Sequence, residues 1–357
     1  MVDWTSELTE NTSAHCKVHC INLSIYAATC YGPSEDATLS LGAHPEESKK
    51  SLSDSNNYRS IAISSILGKV LDNIVIEKHN HVLSRSNLQF GFRANHSTDQ
   101  CTFVLKETVN HFVNHGSSVY VTLLDASRAF DRVNYVRLFS LLLNRGLCGL
   151  TACLLLRSYV FQSICVRWCS SSSVPFSCKN GVKQGGVLSP VLFAIYMDEL
   201  LDRLAKSGVG CHIGNEFIGG VCYADDLTLL APTLYASRLL LRVCESFAEE
   251  YNVIFNAAQS QALVFYPASF SLPTCRRAML SLSNSPIDFV EHAIHLGTYI
   301  GERDFELNIQ KAQNDLYARI NLLHAKFHFC TFDVLRTLLI SHCTSFYGSC
   351  LWNLTEI

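Results

Sequence analysis

Two adjacent acidic residues, Asp225 and Asp226, are the first candidates for chemistry in this sequence. They lie between apolar runs of strand-forming residues, and residues 219–230 are typical of a β-hairpin with a tight turn at Ala224 and Asp225. Two carboxylates at one hairpin tip repel each other unless something neutralises them, and hard carboxylate oxygens favour Mg²⁺ or Mn²⁺. The pair therefore predicts a divalent-metal site, and the alternative is an exposed turn without a ligand.

A third carboxylate, Asp125, follows a run of β-branched and apolar residues at positions 119–124. Such a run is typical of a buried strand. One aspartate at the end of a strand and two at a hairpin tip form a minimum donor set for two metal ions. In two-metal sites the cations lie about 3.5–4 Å apart and stabilise the attacking and leaving oxygens of an in-line displacement. The three aspartates thus indicate phosphoryl or nucleotidyl transfer.

Length and composition limit the class of protein. The 357 residues allow two or three domains or one elongated unit with several lobes. With 28 basic and 31 acidic side chains, any nucleic-acid binding must depend on local grooves and not on net positive charge. The apolar runs are shorter than a membrane span, and residues 1–10 lack the pattern of a signal peptide. We therefore expect an intracellular protein with no membrane association.

The 16 cysteines are scattered, and most are expected to be reduced core residues. The cluster HCKVHC at residues 15–20 lacks the two separated ligand pairs of a zinc site. Cysteine content therefore adds no metal site to the one predicted from the aspartates.

Hydrophobic periodicity predicts the helices that must support the strands. They cover residues 57–78, 99–113, 136–145, 150–160, 190–204, 234–251 and the tail from residue 305. The first has an apolar face made of Ile63, Ile66, Leu67, Val70, Leu71 and Ile74. Ser97 or Thr98 is expected to cap the second helix, and Ser189 the one that begins with Pro190.

Short strands are predicted at residues 253–256 and 262–265 and on both sides of a turn at 295–298, with a further hairpin within residues 163–178. Residues 48–57 and 267–290 are predicted as loops. Periodicity is weak over the first 50 residues, for which we expect low order.

Seven stretches of the chain, in order, resemble the motifs of reverse transcriptases. The three core motifs are LLDASRAFD at residues 123–131, QGGVLSP at 184–190 and YADD at 223–226. The upstream finger motifs are NYRSI at 57–61 and FGFRANHST at 90–98, and the downstream ones are FN at 255–256 before ALVF at 262–265, and HLG at 295–297. Within that family the chain most resembles the polymerase of non-LTR retrotransposons, over roughly residues 48–301.

The resemblance implies an α+β fold of the right-hand polymerase type. We expect a poorly ordered segment at 1–50, fingers at 51–118, a palm of antiparallel sheet backed by helices at 119–301 with finger-like insertions, and a partial helical thumb at 302–357. The implied activity is RNA-directed DNA synthesis from an RNA template, a DNA primer and dNTPs, with two Mg²⁺ or Mn²⁺ ions. Target-primed synthesis would place the work in the nucleus. The oligomeric state is left open.

The resemblance also implies roles for single residues. Asp125 and Asp225 are the main metal ligands, with Asp226 as the supporting carboxylate. Phe130 lies under the incoming sugar, where an aromatic ring leaves no room for a 2′-hydroxyl, and simple core packing is its alternative. Asp131 is interpreted as a structural acid at the start of a helix.

The remaining implied contacts involve the nucleotide and the primer. Gln184 and Gly185 form a loop against the incoming nucleotide, or alternatively a plain start to a helix. Arg93 and Arg59 contact triphosphate or template, or alternatively are solvated. The turn at His295, Leu296 and Gly297 grips the primer, and a hairpin without that role is the alternative.

One departure from the family pattern bears on activity. Members usually carry a lysine, thought to help protonate the departing pyrophosphate, where this chain has Gln259, and glutamine cannot serve as an acid. We interpret the chain as a fragment or decayed copy of a longer retrotransposon polyprotein. The rival hypothesis is a catalytically decayed or truncated relic that at most binds RNA. An intron-encoded maturase would need a further RNA-binding region after the thumb.

Overall fold

The computed structural model describes residues 39–45, 58–168, 171–267, 279–301 and 304–344. The predicted loop at 48–57 and the cluster at 15–20 lie outside these ranges. Of the first 50 residues only 39–45 are described, and they form a strand. The low order expected for the rest of that segment lies outside the described residues.

Helices and strands both occur throughout the described chain, which confirms the predicted α+β class. The helices are α1 Ile66–Lys78, α2 Thr98–Asn114, α3 Ala129–Arg132, α4 Tyr135–Asn144, α5 Gly149–Val160, α6 Ser189–Lys206, α7 Leu234–Tyr251, α8 Asp304–Phe327 and α9 Phe332–Leu338, followed by a π-helix at Leu339–Cys343. The strands are β1 Leu39–Pro45, β2 Tyr58–Ile63, β3 Val119–Leu124, β4 Ile164–Trp168, β5 Ser171–Ser172, β6 His212–Ile213, β7 Glu216–Phe217, β8 Gly220–Tyr223, β9 Asp226–Ala231, β10 Gln261–Phe265, β11 Leu280–Leu282, β12 Ser285–Phe289, β13 His292–His295 and β14 Thr298–Gly301. Within the described ranges no helix is long and apolar enough to cross a membrane.

The chain folds into two compact units that alternate along the sequence. The first comprises Met1–Phe92, Ala126–Ser207 and Val243–Asn256, and the second comprises Arg93–Asp125, Gly208–Arg242 and Ala257–Ile357. The division into fingers, palm and thumb at residues 51–118, 119–301 and 302–357 stays a prediction.

A six-stranded sheet forms the centre of the second unit, in the order β11-β12-β10-β3-β9-β8. The pairs β10–β3, β3–β9 and β9–β8 are antiparallel, as predicted, whereas β12 lies parallel to β10. All six residues of β3 are buried, which explains why its sequence is apolar without alternation. Helix α2 contributes Cys101, Leu105 and Val109 to the core of this unit, so one face of the sheet is backed by a helix.

The first unit is built around α6, which is buried on all sides along most of its length. Its largest side chains, Phe193 and Tyr196, are completely inaccessible to solvent. The Tyr196 hydroxyl donates to the carbonyl oxygen of Tyr251 at the end of α7. A four-stranded sheet in the order β2-β1-β4-β5 completes the unit as far as it is described.

The predicted helix from residue 57 is wrong at its beginning. Residues 58–63 form β2, and α1 begins at Ile66 after Ser65, whose side chain accepts a hydrogen bond from the Gly68 amide. Its expected apolar face is only partly correct, because Leu71 is buried whereas Ile66 and Leu67 are exposed. Strand β2 forms because it pairs with β1, and a local pattern cannot indicate a distant partner.

Ser189 is not the cap of α6, contrary to prediction. It is the first residue inside the helix, and its buried hydroxyl lies 3.3 Å from that of Tyr159. The amide of Leu188 instead donates to the carboxylate of Asp72 on α1, at 3.4 Å. A side chain distant in sequence thus replaces the local cap.

Two further predictions for residues 250–290 are wrong. Residues 253–256 form no strand and make only an isolated bridge between Phe255 and Ala126. Residues 267–290, predicted as loop, contain β11 and β12, while 268–278 lie outside the described residues. The predicted strand 262–265, helix 234–251 and helix cap at Ser97 are confirmed.

The hairpin of β13 and β14 is attached to the central sheet through His295. Its turn residues, Leu296 and Gly297, have φ angles of +48° and +81°, as a tight two-residue hairpin turn requires. The ring Nε2 of His295 lies 3.1 Å from the hydroxyl of Thr228 on β9. Burial lowers the pKa of His295 to about 4, so the ring is neutral near pH 7.

Burial of His295 predicts a loss of stability in acid. Its ordinary pKa of 6.5 applies to the unfolded chain and about 4 to the folded one, so the unfolded chain binds the proton more tightly. The stabilisation is complete above pH 6.5 and is lost as the pH falls towards 4, by ~3 kcal/mol in the free energy of unfolding. Denaturant unfolding at several pH values measures the free energy of unfolding. It should fall with decreasing pH in the wild type and fall less steeply in His295→Gln.

The matched control is His292→Gln, on the exposed part of the same hairpin. Its free energy of unfolding should depend on pH as steeply as that of the wild type. An unchanged slope in His295→Gln would show that this histidine does not carry the effect.

Candidate active site

The three predicted carboxylates lie at one end of neighbouring strands in the second unit. Strands β3 and β9 pair Leu124 with Leu227, so the next positions of this antiparallel register are Asp125 and Asp226. Directly opposed residues of an antiparallel pair are close enough for their side chains to interact. The Asp125 amide donates to the Ser260 hydroxyl at 3.2 Å, which fixes the end of β3.

The hairpin predicted at Asp225 and Asp226 is confirmed. Strands β8 and β9 pair Tyr223 with Asp226, which leaves Ala224 and Asp225 as the two turn residues. Ala224 has a φ angle of +59°, a left-handed conformation that costs a non-glycine residue roughly 1–2 kcal/mol. Its carbonyl oxygen accepts a hydrogen bond from the Cys222 thiol at 3.1 Å. The surrounding strands therefore hold a strained turn that presents Asp225 at its tip.

Negative charge at the start of β9 affects a neighbouring helix. Burial, with a smaller contribution from the charge of Asp226, raises the pKa of the Cys101 thiol on α2 to about 12. The thiol is therefore protonated and unreactive at neutral pH. The charge of Asp226 thus affects a buried thiol inside the protein and not only the surrounding solvent.

The donor set matches the chemistry of a hard cation. Asp125, Asp225 and Asp226 offer carboxylate oxygens only, and all three side chains are partly exposed. Mg²⁺ commonly binds to one or two carboxylates and takes its other ligands from water and substrate phosphates. Within the described residues, no three His, Cys, Asp or Glu side chains form a group that could hold a metal ion. Any ion held by these carboxylates would therefore have to take further ligands from substrate.

The loop with Gln184 and Gly185 lies in the first unit, joined to β2. The carbonyl oxygen of Gln184 accepts from the Ala62 amide at 2.6 Å. Gly185 has a φ angle of +99°, and a Cβ there would lie 3.1 Å from the Ala62 carbonyl oxygen. Only glycine therefore fits this close approach without strain.

Asp131 does more than start a helix. Its carboxylate accepts a hydrogen bond from the side-chain amide of Gln184 at 3.1 Å. Burial raises the pKa of Asp131, and the bond from Gln184 opposes that rise. The carboxylate thus orients the amide of the loop, a role that the sequence pattern alone did not indicate.

Asp72 and Lys183 are two further residues that sequence reasoning missed. Burial raises the pKa of Asp72, and the backbone amides of Leu188 and Val187 and the charge of Lys183 lower it in part. Burial lowers the pKa of the Lys183 ammonium, and Asp72 opposes that change. Helix α1 therefore fastens both ends of the loop that carries Gln184. The apolar face predicted for this helix did not include Asp72, so the hydrophobic pattern contained no signal for this contact.

Phe130 packs on one side and is partly exposed on the other. Its ring stacks on Phe193 with centroids 4.2 Å apart and lies nearly perpendicular to Phe92 at 5.7 Å. Core packing and a nucleotide contact were alternatives in the sequence, and this position is compatible with both.

The predicted site residues fall into two groups. In the second unit lie Asp125, Asp225, Asp226, Arg93, His295, Leu296 and Gly297, and in the first unit lie Arg59, Phe130, Gln184 and Gly185. Arg59 is on β2 with its backbone paired to His44, and Arg93 is partly buried. In the predicted primer turn Gly297 is exposed, whereas the ring of His295 is buried.

Comparison with known proteins identifies the family. A profile described as reverse transcriptase (RNA-dependent DNA polymerase) matches residues 48–313, more than half of the chain. The chain is 27% identical over 237 residues to the Pol polyprotein of the retrotransposable element R2DM from Drosophila melanogaster, covering 62% of this chain and 22% of that protein. It is 25% identical over 319 residues to the RNA-directed DNA polymerase from mobile element jockey of Drosophila funebris, covering 82% and 32%.

The chain thus spans about a fifth to a third of the length of these curated relatives. Among solved structures, telomerase from Candida albicans in complex with a fragment of telomeric RNA superposes with a TM-score of 0.47 at 12% identity, covering 89% of this chain and 55% of that one. Apo telomerase from Candida tropicalis also gives 0.47 at 12% identity, covering 73% and 57%.

The profile match and the order of the motifs agree. Together with the mixed helices and sheets, they confirm the predicted α+β, right-hand polymerase fold class. The chain belongs to the reverse transcriptase (RNA-dependent DNA polymerase) family.

Proposed function

We propose that this chain carries the polymerase centre of a non-LTR retrotransposon, adding dNTPs to a DNA primer copied from an RNA template. The observation that carries the proposal is that Asp125 directly follows β3 and Asp226 begins β9, the strand paired with β3, while Asp225 lies in the adjoining turn. The relatives named as R2 and jockey polymerases support the element class. Synthesis primed at a chromosomal target would occur in the nucleus.

Reverse transcriptases generally use divalent metal ions, and we assign their binding to the aspartates. Asp125 and Asp225 would hold two Mg²⁺ or Mn²⁺ ions, with Asp226 as the supporting carboxylate. Bound ions supply activation of the primer hydroxyl and stabilisation of the charge on the leaving pyrophosphate. The chain's own contribution is to hold the carboxylates on buried strands, so that little reorganisation is needed when substrate binds.

The proposed nucleotide contacts use residues whose positions are fixed by hydrogen bonds and close packing. Gln184 would meet the incoming nucleotide through a loop held by Asp131 and Ala62. Gly185 would contribute only its backbone, because the space of a side chain there is occupied by the Ala62 carbonyl oxygen. The ring of Phe130 would exclude a 2′-hydroxyl. The guanidinium groups of Arg93 and Arg59 suit phosphate oxygens of the triphosphate or template.

The proposed primer contact is the turn at His295, Leu296 and Gly297. Because the His295 ring is buried against Thr228, it serves as an anchor, and the turn backbone faces the primer. Thr228 lies two residues after Asp226 on β9, so the turn and the metal-binding strand are joined within one unit. The ammonium of Lys311 donates to the Gly297 carbonyl at 2.5 Å and holds the turn from α8.

Removal of one metal ligand tests the activity. Asp225→Asn keeps the shape of the turn but removes the charge that binds the cation, so primer extension on an RNA template with dNTPs and Mg²⁺ should fall by ~10³-fold or more. Single-nucleotide extension under single-turnover conditions measures this rate.

The control is Asp202→Asn, an exposed aspartate on α6. It should extend primers at the rate of the wild type. Equal rates for Asp225→Asn and the wild type, or no extension by the wild type while a longer relative succeeds, would contradict the proposal.

Gln259 motivates the rival function of a decayed copy that only binds RNA. It is exposed and precedes Ser260, whose hydroxyl accepts from the Asp125 amide, so it lies beside the end of β3. The lysine usual in the family would be an acid for the departing pyrophosphate at this position.

Gln259→Lys should therefore raise the extension rate about 10-fold or more, because general acids contribute ~10²–10⁴-fold and a new lysine recovers part of that. The gain should be lost as the pH rises past about 10, the ordinary pKa of lysine, because the ammonium form then disappears. Gln259→Met, which has similar length without an acid, is the control. A rate that does not change in Gln259→Lys would show that this position does not limit synthesis.

A further inference from the structure

We infer that Phe92 is a positioning residue for sugar selection: it fixes the ring of Phe130 by an edge-to-face contact additional to the stack on Phe193. The inference rests on the proposed polymerase function, because Phe130 has a role in sugar selection only if the chain binds nucleotides. Phe92 and Phe130 are separated by 38 positions in the sequence, and no motif pattern pairs them.

Phe130 contacts two aromatic rings that differ in exposure. Phe193 is fully buried in α6 and stacks on the ring at an interplanar angle of 16°. Phe92 lies at 84° to the ring with the centroids 5.7 Å apart, and 45% of its own surface is exposed. Edge-to-face contact of this kind is a favoured arrangement of aromatic rings. Phe92 is thus the more exposed of the two partners of Phe130.

The backbone of Phe92 is held in an unfavourable conformation. Its φ angle is +56°, which bulky residues rarely adopt, and such strain persists only where the surroundings enforce it. Its carbonyl oxygen accepts a hydrogen bond from the Arg85 guanidinium. The preceding Gly91 amide donates to the side-chain oxygen of Gln89, a residue with no exposed surface, at 2.9 Å. Two side chains thus fix the segment that presents the Phe92 ring.

Contact with Phe92 should make the Phe130 ring harder to displace. A ribonucleotide differs from a deoxyribonucleotide by one oxygen, so a ring that can tilt away by a small amount tolerates it. Phe92 and Phe193 both contact the ring and restrict its movement. Removing the ring of Phe92 takes away one of these two contacts, and discrimination against ribonucleotides should weaken while deoxynucleotides still fit.

The test compares incorporation of one dNTP and the matching rNTP on a defined RNA template with Mg²⁺. In Phe92→Ala the ratio of kcat/KM values, dNTP over rNTP, should fall about two- to tenfold, as the strength of an aromatic pair predicts. Phe92→Tyr keeps the ring and should keep the ratio. Phe161→Ala, at an exposed phenylalanine of the same unit, should also keep it.

Phe130→Ala is measured in parallel to separate the two levels of the argument. A ratio that falls in Phe130→Ala but not in Phe92→Ala overturns the inference and leaves the proposed function standing. Equal losses for dNTP and rNTP in Phe92→Ala, with the ratio unchanged, also overturn it. No dNTP incorporation by the wild type would refute the proposed function and this inference with it.

Discussion

Repulsion between carboxylates at the end of a buried sheet is the constraint on which the rest of this structure depends. Asp125 directly follows β3, Asp226 begins β9, the strand paired with β3, and Asp225 follows a turn residue in a left-handed conformation. Like charges held close together repel unless something neutralises them. All of β3 and nearly all of β9 are buried, so packing of the core fixes the backbone that carries the three carboxylates.

A second theme is that loops are fixed by side chains distant in sequence. In the first unit, Asp72 and Asp131 hold the loop of Gln184 from two helices. In the second unit, the buried and neutral ring of His295 joins a short hairpin to β9. Each of these residues makes one hydrogen bond to its partner, and the bonds of Asp72 and His295 lie in partly or fully buried surroundings, where an unpaired partner would be costly. These hydrogen bonds restrict the conformation of the loops, as backbone pairing does for the strands.

Short-range patterns in the sequence were sufficient for elements whose chemistry is local. The hairpin around Asp225, the helix cap at Ser97 and the helix Leu234–Tyr251 followed from turn residues, capping residues and periodicity. Strand β2 could not be predicted because its partner, β1, lies outside its own local pattern. Ser189 failed as a cap for the same reason, since Asp72 binds the amide of Leu188.

The same distinction between local signals and contacts distant in sequence applies to the candidate site. Residue type and spacing made the three aspartates candidates because their chemistry is visible in the sequence. Motif resemblance suggested the roles that we propose for Phe130 and Gln184. The partners that position these two, Phe92 and Asp131, became evident only from contacts in space. A phenylalanine next to a glycine has no local signal that it packs on another ring 38 positions further along the chain.

We propose that the aspartates bind the ions that serve nucleotidyl transfer, and the number of bound Mn²⁺ ions is a direct measure of this binding. Electron paramagnetic resonance can count the ions held by the chain with RNA template, chain-terminated DNA primer and a dNTP. We expect two bound Mn²⁺ ions in the wild type and fewer in Asp125→Asn at the same concentration of free Mn²⁺. The same number of ions in both, or none in either, would contradict it.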